Sequence, residues 1–308
     1  MGDTLLTFWA LAALRAHLPG LRLHLVGSAA AAPLATLARS KAGVDTRLAD
    51  GWTPFDAPEV TGLFSPAGPG RAACFAPVAA GVAWCADPEG LLTKNLSRLG
   101  ATRTLIAPSR PASGKRLHVA DHLVATLRPL GIEPPEGGSG FYFDLPDSAR
   151  ARACSLLNNL GLVGQPFVAV HPGSGSPGKN WPATWMAALV DRLPSALGVT
   201  PLLLAGPADH ETIDSLIGQL HAPPPPLLRD LPLDELAAVL SSARAYVGND
   251  SGPTHLAAML DLPTLALFGP SDPVQWAPRG RRVRIIRRQP LADLPPEVVM
   301  GALRELVS

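Results

Sequence analysis

The sequence is poor in charge and in aromatic rings. Charged residues make up 17% of its 308 positions and aromatics 5%, and the formal net charge is +1. No field of one sign surrounds such a chain, so nucleic acid is not expected as a partner. Cysteine is scarce as well, with Cys74, Cys85 and Cys154 only. The count is odd and no Cys-x-x-Cys spacing occurs, which argues against a disulfide framework and a thiolate metal site. Buried thiols in a reducing cytosol are the expectation. No run of about 18 uncharged apolar residues occurs, so no membrane-spanning helix is expected. Residues 5–14 lack the cationic leader of a signal peptide. Asp3 stands where the positive charge should be, and Arg15 and His17 follow at once. The stretch reads instead as a first helix with Leu5, Phe8, Trp9 and Ala12 inward. His-Glu-x-x-His, Asp-x-Asp and Gly-x-Ser-x-Gly are all missing, so metal-dependent hydrolysis and serine acyl transfer lose support. A nicotinamide dehydrogenase is disfavoured by the lack of a glycine fingerprint with a downstream acid.

What is present is an apolar chain cut into short units. Hydrophobic residues reach 47%, and 34 prolines and 29 glycines are scattered without period. The length allows two domains, each with its own core. In the first half, helices are expected over 5–17, 30–39, 88–99 and 118–130, and strands over 21–26, 82–85 and 104–106. Val119, Leu123, Leu127 and Leu130 share one face of the fourth helix. Residues 131–140 are loop chemistry, and the boundary is placed just after them, giving domains 1–145 and 146–308. The last helix is expected to pack back on the first domain. In the second half, strands over 167–170, 200–205, 243–247 and 264–268 alternate with helices over 146–160, 181–193, 209–220 and 233–241. Four consecutive prolines make 221–228 a stiff connector. This alternation means a parallel sheet covered by helices on both faces.

Each strand of the second half ends in a turn rich in glycine and proline, at Gly173, Gly206, Gly252 and Gly269. Parallel strands put their carboxyl ends on one edge, where ligands bind, so these turns should converge. The stretch Val247-Gly248-Asn249-Asp250-Ser251-Gly252-Pro253-Thr254-His255 organises the rest. It reads as a buried strand, a polar turn and the first turn of a helix. Asp250 or Ser251 suits the cap and Pro253 the first turn. Gly252 allows close backbone approach, and the free N–H groups make an anion site that His255 could face. The plain alternative is an ordinary capped helix with a surface histidine. In Ser174-Gly175-Ser176-Pro177-Gly178-Lys179-Asn180-Trp181-Pro182, Lys179 suits a diphosphate as a point charge, or is simply solvated. Asp209 and Glu211 follow a strand end, where a carboxylate could hold ribose hydroxyls or only favour the helix N-terminus. Asp272 reads as a turn residue. Arg279, Arg281, Arg282, Arg284, Arg287 and Arg288 form the one basic cluster. It is read as a solvated edge, with contact to anionic lipid or a phosphorylated glycan as the alternative.

Three ordered motifs carry a resemblance: residues 171–182, residues 248–258, and Leu267-Phe268-Gly269-Pro270-Ser271-Asp272-Pro273. Together they resemble glycosyltransferase family 9, the lipopolysaccharide heptosyltransferases. Gly2-Asp3 and His118-Val119-Ala120-Asp121-His122 also look like that family, whereas about 50–113 shows little resemblance. The resemblance implies the GT-B architecture, with two Rossmann-like doubly wound parallel-sheet domains facing across a cleft. It implies transfer of a heptose from ADP-heptose to a lipopolysaccharide core or related glycan, with inversion, without a metal and without a cofactor. Lys179 and the turn Asp250, Ser251, Gly252, Pro253, Thr254, His255 would hold the donor diphosphate, with Lys179 also easing departure of ADP. Ser174 and Ser176 would help, and Asp209 or Glu211 with Leu231 would border the nucleoside. Asp3 would be the general base. The family has a strand before the Gly-Asp turn where this sequence has only Met1, so the first domain is expected to lack its first strand. A nucleotide-sugar-binding protein with little turnover is the competing expectation. The expected location is cytoplasmic, peripheral to the inner membrane if the arginines engage lipid.

Overall fold

The computed structural model describes residues 1–41, 46–133 and 140–307. Most of the loop expected over 131–140 lies outside the described residues. The chain divides into two compact units, Asp3–Asp144 and Leu145–Ser308.

The first unit is built from short elements. Strand β1 (His24–Gly27) pairs in parallel with β3 (Gly51–Pro54), and β4 (Ala80–Ala83) with β5 (Arg103–Ile106). Strand β2 (Ala38–Ser40) runs antiparallel to β6 (Phe141–Phe143). The helix expected over 5–17 is two helices, Gly2–Leu6 and Phe8–His17. The break falls at Thr7, whose hydroxyl donates to the Thr4 carbonyl at 2.6 Å and competes with the helical ladder. Leu5, Phe8 and Ala12 are buried, whereas Trp9 is only half-buried. The alanine-rich stretch keeps a single helical turn, Leu34–Leu37, after Pro33, and the chain then enters β2. A cluster of Val60, Leu63, Leu92, Leu96 and Leu99 packs with Val26, Ala83 and Ile106 from the strands.

The expectation of buried thiols fails. Cys74 and Cys154 are exposed and Cys85 is half-buried. The helix Asp147–Asn159 buries Ala149, Ala153 and Leu157, four residues apart, and Cys154 lies one position off that stripe.

The second unit holds one parallel sheet of six strands: β7 (Phe167–His171), β8 (Thr200–Ala205), β9 (Leu227–Arg229), β10 (Ala245–Asn249), β11 (Thr264–Phe268) and β12 (Val283–Arg287). Their order is β12-β11-β10-β7-β8-β9. Strands β7, β10 and β11 are buried along their whole length, which is why they read as unbroken apolar runs. One core joins Val168, Val170, Leu203, Val247 and Leu265 to Met186, Leu189 and Leu193 of the helix Ala183–Leu197. Val299, Met300 and Leu303 of the last helix, Pro296–Val307, belong to the same core. That helix packs within the second unit, because its apolar stripe completes this core.

Two strands of this sheet are absent from the sequence reading, as are β2, β3 and β6 of the first unit. Strand β9 sits just beyond the prolines, and β12 lies inside the arginine cluster as an edge strand. Its arginines point outward and are largely engaged. Arg281 Nη2 lies 2.8 Å from Asp261 Oδ2, Arg282 donates to the Asp261 carbonyl at 2.9 Å, and Arg284 pairs with Glu305. Among the described residues, no helix is long and apolar enough to cross a membrane.

Candidate functional site

Strand order reverses between β7 and β10. From β7 the chain winds outward through β8 and β9, and from β10 it winds the other way through β11 and β12. Such a switch point leaves a crevice at the carboxyl ends of the two central strands, the usual ligand position in an open parallel sheet. His171 of β7 and Gly248 of β10 are register partners at that edge. The turns expected to converge do so in the sense that every strand of this sheet is parallel.

The loop after β7 is fixed by Asn249, whose side chain is wholly buried. Its Nδ2 donates to the Pro172 carbonyl at 2.7 Å, and its Oδ1 accepts from the Trp181 N–H at 3.0 Å. The Trp181 ring is anchored in turn by donation from Nε1 to the Leu294 carbonyl at 2.9 Å. Both ends of the segment bearing Lys179 are thus tied down. The Ser174 hydroxyl lies 2.6 Å from Asn180 Oδ1 and 2.7 Å from the Ser176 carbonyl, closing the loop on itself.

Lys179 is not a free solvated lysine. Its Nζ donates to Asp250 Oδ2 at 2.8 Å, and the lysine side chain is 35% exposed against 8% for the aspartate. This reassigns Asp250. A carboxylate repels phosphate, so Asp250 aims and restrains the lysine and does not hold an anion itself. The cap is Ser251, whose side chain makes no bond to the backbone N–H groups of the helix Gly252–Met259 and lies instead 3.0 Å from Thr254 Oγ1. The Thr254 hydroxyl, also expected at a ligand, is turned inward, where it donates to the Asn249 carbonyl and lies 3.0 Å from the Tyr246 hydroxyl. His255 is enclosed, at 3% exposure, rather than on the surface. What remains for an anion at this helix end are the backbone N–H groups, with Pro253 in the first turn where its missing donor costs nothing.

Asp209 is also reassigned. It is 6% exposed and committed to neighbours: its Oδ2 lies 3.0 Å from His171 Nε2 and accepts from the Gly206 N–H at 2.8 Å. Burial alone would raise its carboxyl, but the His171 hydrogen bond and charge, with the Gly206 N–H, bring it below the ordinary carboxylate value. A group so enclosed holds the sheet edge together rather than reaching a ribose. Glu211, exposed in the first turn of the helix His210–Ile217, and half-buried Leu231 remain at the surface of this edge.

Gly173 makes the Asp209 arrangement possible. A Cβ on that glycine would lie 1.7 Å from Asp209 Oδ1 and 2.3 Å from its Cγ. Gly173→Ala is therefore expected to displace a carboxylate that His171 and Gly206 hold in place. The expected loss of stability is about 1–3 kcal/mol, the range for overpacking a filled interior, read as a lower denaturant midpoint. An unchanged midpoint would mean that Asp209 has another place to go.

In the first unit, Asp3 lies in the helix Gly2–Leu6 with its side chain 74% exposed, and its carboxylate is 3.9 Å from Arg110 Nη2. Arg110 lines a cavity of about 350 Å³ with Cys85, Ala86, Ile106 and Pro108, at the carboxyl ends of β4 and β5.

Two α/β units, one with a six-stranded doubly wound sheet and a polar switch point, define the GT-B class of fold. Residues 97–300 match the model of glycosyltransferase family 9 (heptosyltransferase), and the chain belongs to that family. Among curated relatives, lipopolysaccharide heptosyltransferase 2 of Salmonella typhimurium is 30% identical over 166 residues, covering 47% of this chain and 47% of that protein. The chain spans about half the length of the curated relatives it matches. Two solved structures share the fold over nearly the whole chain. The family 9 glycosyltransferase of Veillonella parvula has a TM-score of 0.81 at 20% identity, covering 99% of this chain and 94% of that one. The ADP-heptose lipopolysaccharide heptosyltransferase II of E. coli has a TM-score of 0.76 at 19% identity, covering 99% and 95%.

Proposed function

We propose that this chain is a glycosyltransferase that moves a heptose from ADP-heptose to a lipopolysaccharide-core or related glycan acceptor, with inversion and without a resident metal. The observation that carries the reading is the Lys179–Asp250 pair at the switch point, beside a helix whose N-terminal N–H groups are uncapped by Ser251. A restrained cation next to unshared backbone donors suits a diphosphate. The family's curated heptosyltransferases support the choice of sugar and acceptor.

The chemistry follows from charge. Positive charge gathers at the sugar's anomeric carbon as the bond to the diphosphate breaks, and negative charge gathers on the departing ADP. Lys179 Nζ and the N–H groups at the start of the helix Gly252–Met259 meet that negative charge already oriented, so little reorganisation is needed. Ser176 supplies a further hydroxyl donor from the loop after β7, which Ser174 holds closed, and Glu211 and Leu231 border the nucleoside. On the acceptor side, a carboxylate must take the proton of the attacking hydroxyl, and Asp3 is assigned that role. Its carboxylate lies 3.9 Å from Arg110, which lines the 350 Å³ cavity, and the reading has the acceptor enter there.

Asp261 and Glu305 engage three of the arginines within Arg279–Arg288, which reduces the charge this edge offers to anionic lipid. A cytoplasmic site of action, at the inner face of the membrane where the acceptor is built, completes the proposal. Calorimetric titration with ADP, UDP and GDP tests the donor assignment. ADP should bind at least tenfold more tightly than the other two. Equal affinity for all three would leave a diphosphate site with no nucleoside preference and would remove ADP-heptose as the assigned donor.

A further inference from the structure

Strand β3 ends at Pro54, and the next residue puts an aromatic ring into solvent. Phe55, at 57%, is the most exposed large apolar side chain among the described residues. Its ring lies 6.1 Å from that of Phe64, also exposed, and the two planes are inclined at 60°. Both rings stand on pinned backbone. The Phe55 N–H donates to the Gly27 carbonyl at the end of β1, at 2.8 Å. Phe64 closes the short helix Gly62–Phe64. The buried amide of Asn95 clasps the chain on both sides of it, donating to the Leu63 carbonyl at 3.1 Å and to the Ser65 carbonyl at 2.8 Å. Rigid rings held in this way give up little freedom when a ligand seats on them. Two carboxylates follow Phe55 in the chain, Asp56 exposed and Glu59 half-buried. The same edge carries the residue assigned as the base. Strands β1 and β3 are parallel, so the turns after them share one end of the sheet. Ser28, just past β1, donates its N–H to Thr4 Oγ1 at 3.2 Å, and Thr4 is the neighbour of Asp3 in the helix Gly2–Leu6.

We propose that Phe55 and Phe64 form a stacking platform for a neutral sugar ring of the acceptor glycan. The inference rests on the reading of the first unit as the acceptor side. One face of a sugar ring is a patch of C–H bonds with partial positive charge, and it seats on the negative face of an aromatic ring. The hydroxyls around that patch need acceptors, and Asp56 and Glu59 are carboxylates that can only accept. The same charges argue against the other surface that exposed rings suit, because carboxylates beside the rings repel an anionic bilayer. Both phenylalanines lie outside residues 97–300, the stretch that matches the family model, which suits a feature that selects this chain's own acceptor.

The test measures acceptor KM and kcat for Phe55 variants of the full chain, at a temperature where thermal melts show each of them folded. The probe is a lipid-free core oligosaccharide ending in a neutral heptose, prepared from truncated lipopolysaccharide, with ADP-heptose as donor. Phe55→Ala should raise the acceptor KM about fivefold to tenfold, the loss of one stacking face. Turnover at saturating acceptor should stay within about twofold, because the ring binds without touching the reacting atoms. Phe55→Leu keeps apolar bulk without an aromatic face and should lose as much as Phe55→Ala, whereas Phe55→Trp should keep the parent KM. An unchanged KM in Phe55→Ala would overturn the proposal, as would full affinity in Phe55→Leu. Sedimentation with vesicles of phosphatidylethanolamine and phosphatidylglycerol supplies the other arm. Vesicle binding that is lost in Phe55→Ala while KM is unchanged would give the rings to a lipid surface and overturn the proposal. A parent chain that transfers to whole lipopolysaccharide but not to the lipid-free oligosaccharide would overturn the platform and leave the acceptor reading standing. A parent chain that transfers to neither would overturn the acceptor reading, and the platform with it.

Discussion

Asp3→Asn is expected to lower the rate of sugar transfer by about a hundredfold to ten-thousandfold, the usual contribution of a positioned general base. The substitution keeps the shape of the side chain and removes only its ability to take a proton. Asp3 is 74% exposed, and its ion pair with Arg110 is long at 3.9 Å between two solvated groups. Such a pair contributes little to stability, so the variant should melt where the parent does. ADP affinity should also be unchanged, because the nucleotide is assigned to the turns of the second unit. Steady-state turnover and calorimetry on one preparation separate these effects. A full rate in Asp3→Asn would take the base role away from Asp3.

Lys179→Ala should weaken ADP binding by about 1.5–3 kcal/mol, the range for a hydrogen bond to a charged group, or roughly ten- to a hundredfold. The upper end is favoured by what the substitution leaves behind. Asp250 is 8% exposed and loses the ammonium that neutralises it at 2.8 Å. An uncompensated carboxylate next to the anion site then adds repulsion to the lost attraction. Combining the change with Asp250→Asn should recover part of the affinity, since the pair acts as one unit. Competition against a labelled nucleotide would measure both. Unchanged affinity in Lys179→Ala would return the lysine to a structural role in its loop.

The features legible in the sequence were those written in contiguous residues. Strands β7, β8 and β11 are apolar runs buried on both faces, and their boundaries fall within a residue of where the runs end. The glycine and proline turns after them follow from the same alternation. Strand β12 escaped because Arg284 and Arg287 break its apolar pattern at a sheet edge, where outward positions tolerate charge. Strand β9 escaped because three residues beside a proline run carry almost no periodic signal. In the first unit, paired strands of three or four residues are set by partners distant in sequence, such as β2 with β6, and local propensity does not reveal them.

The site divides in the same way. Lys179 and Asp209 were visible as residue types in suitable turns, but their roles depend on pairings across 71 and 38 positions. Asp250 looked like an anion contact until Lys179 was seen to hold it. Asp209 looked like a ribose ligand until His171 enclosed it. His171 opens the motif 171–182 but has no assigned role in the sequence reading, because its partner Asp209 stands 38 positions away.

The most direct test of the account is a transfer assay with ADP-heptose and a heptose-deficient lipopolysaccharide-core acceptor, following ADP release together with the mass of the acceptor. The account predicts equimolar release of ADP and gain of one heptose by the acceptor, both lost in Asp3→Asn. ADP-heptose that binds but is never consumed with any such acceptor would contradict it and leave a nucleotide-sugar-binding protein in its place.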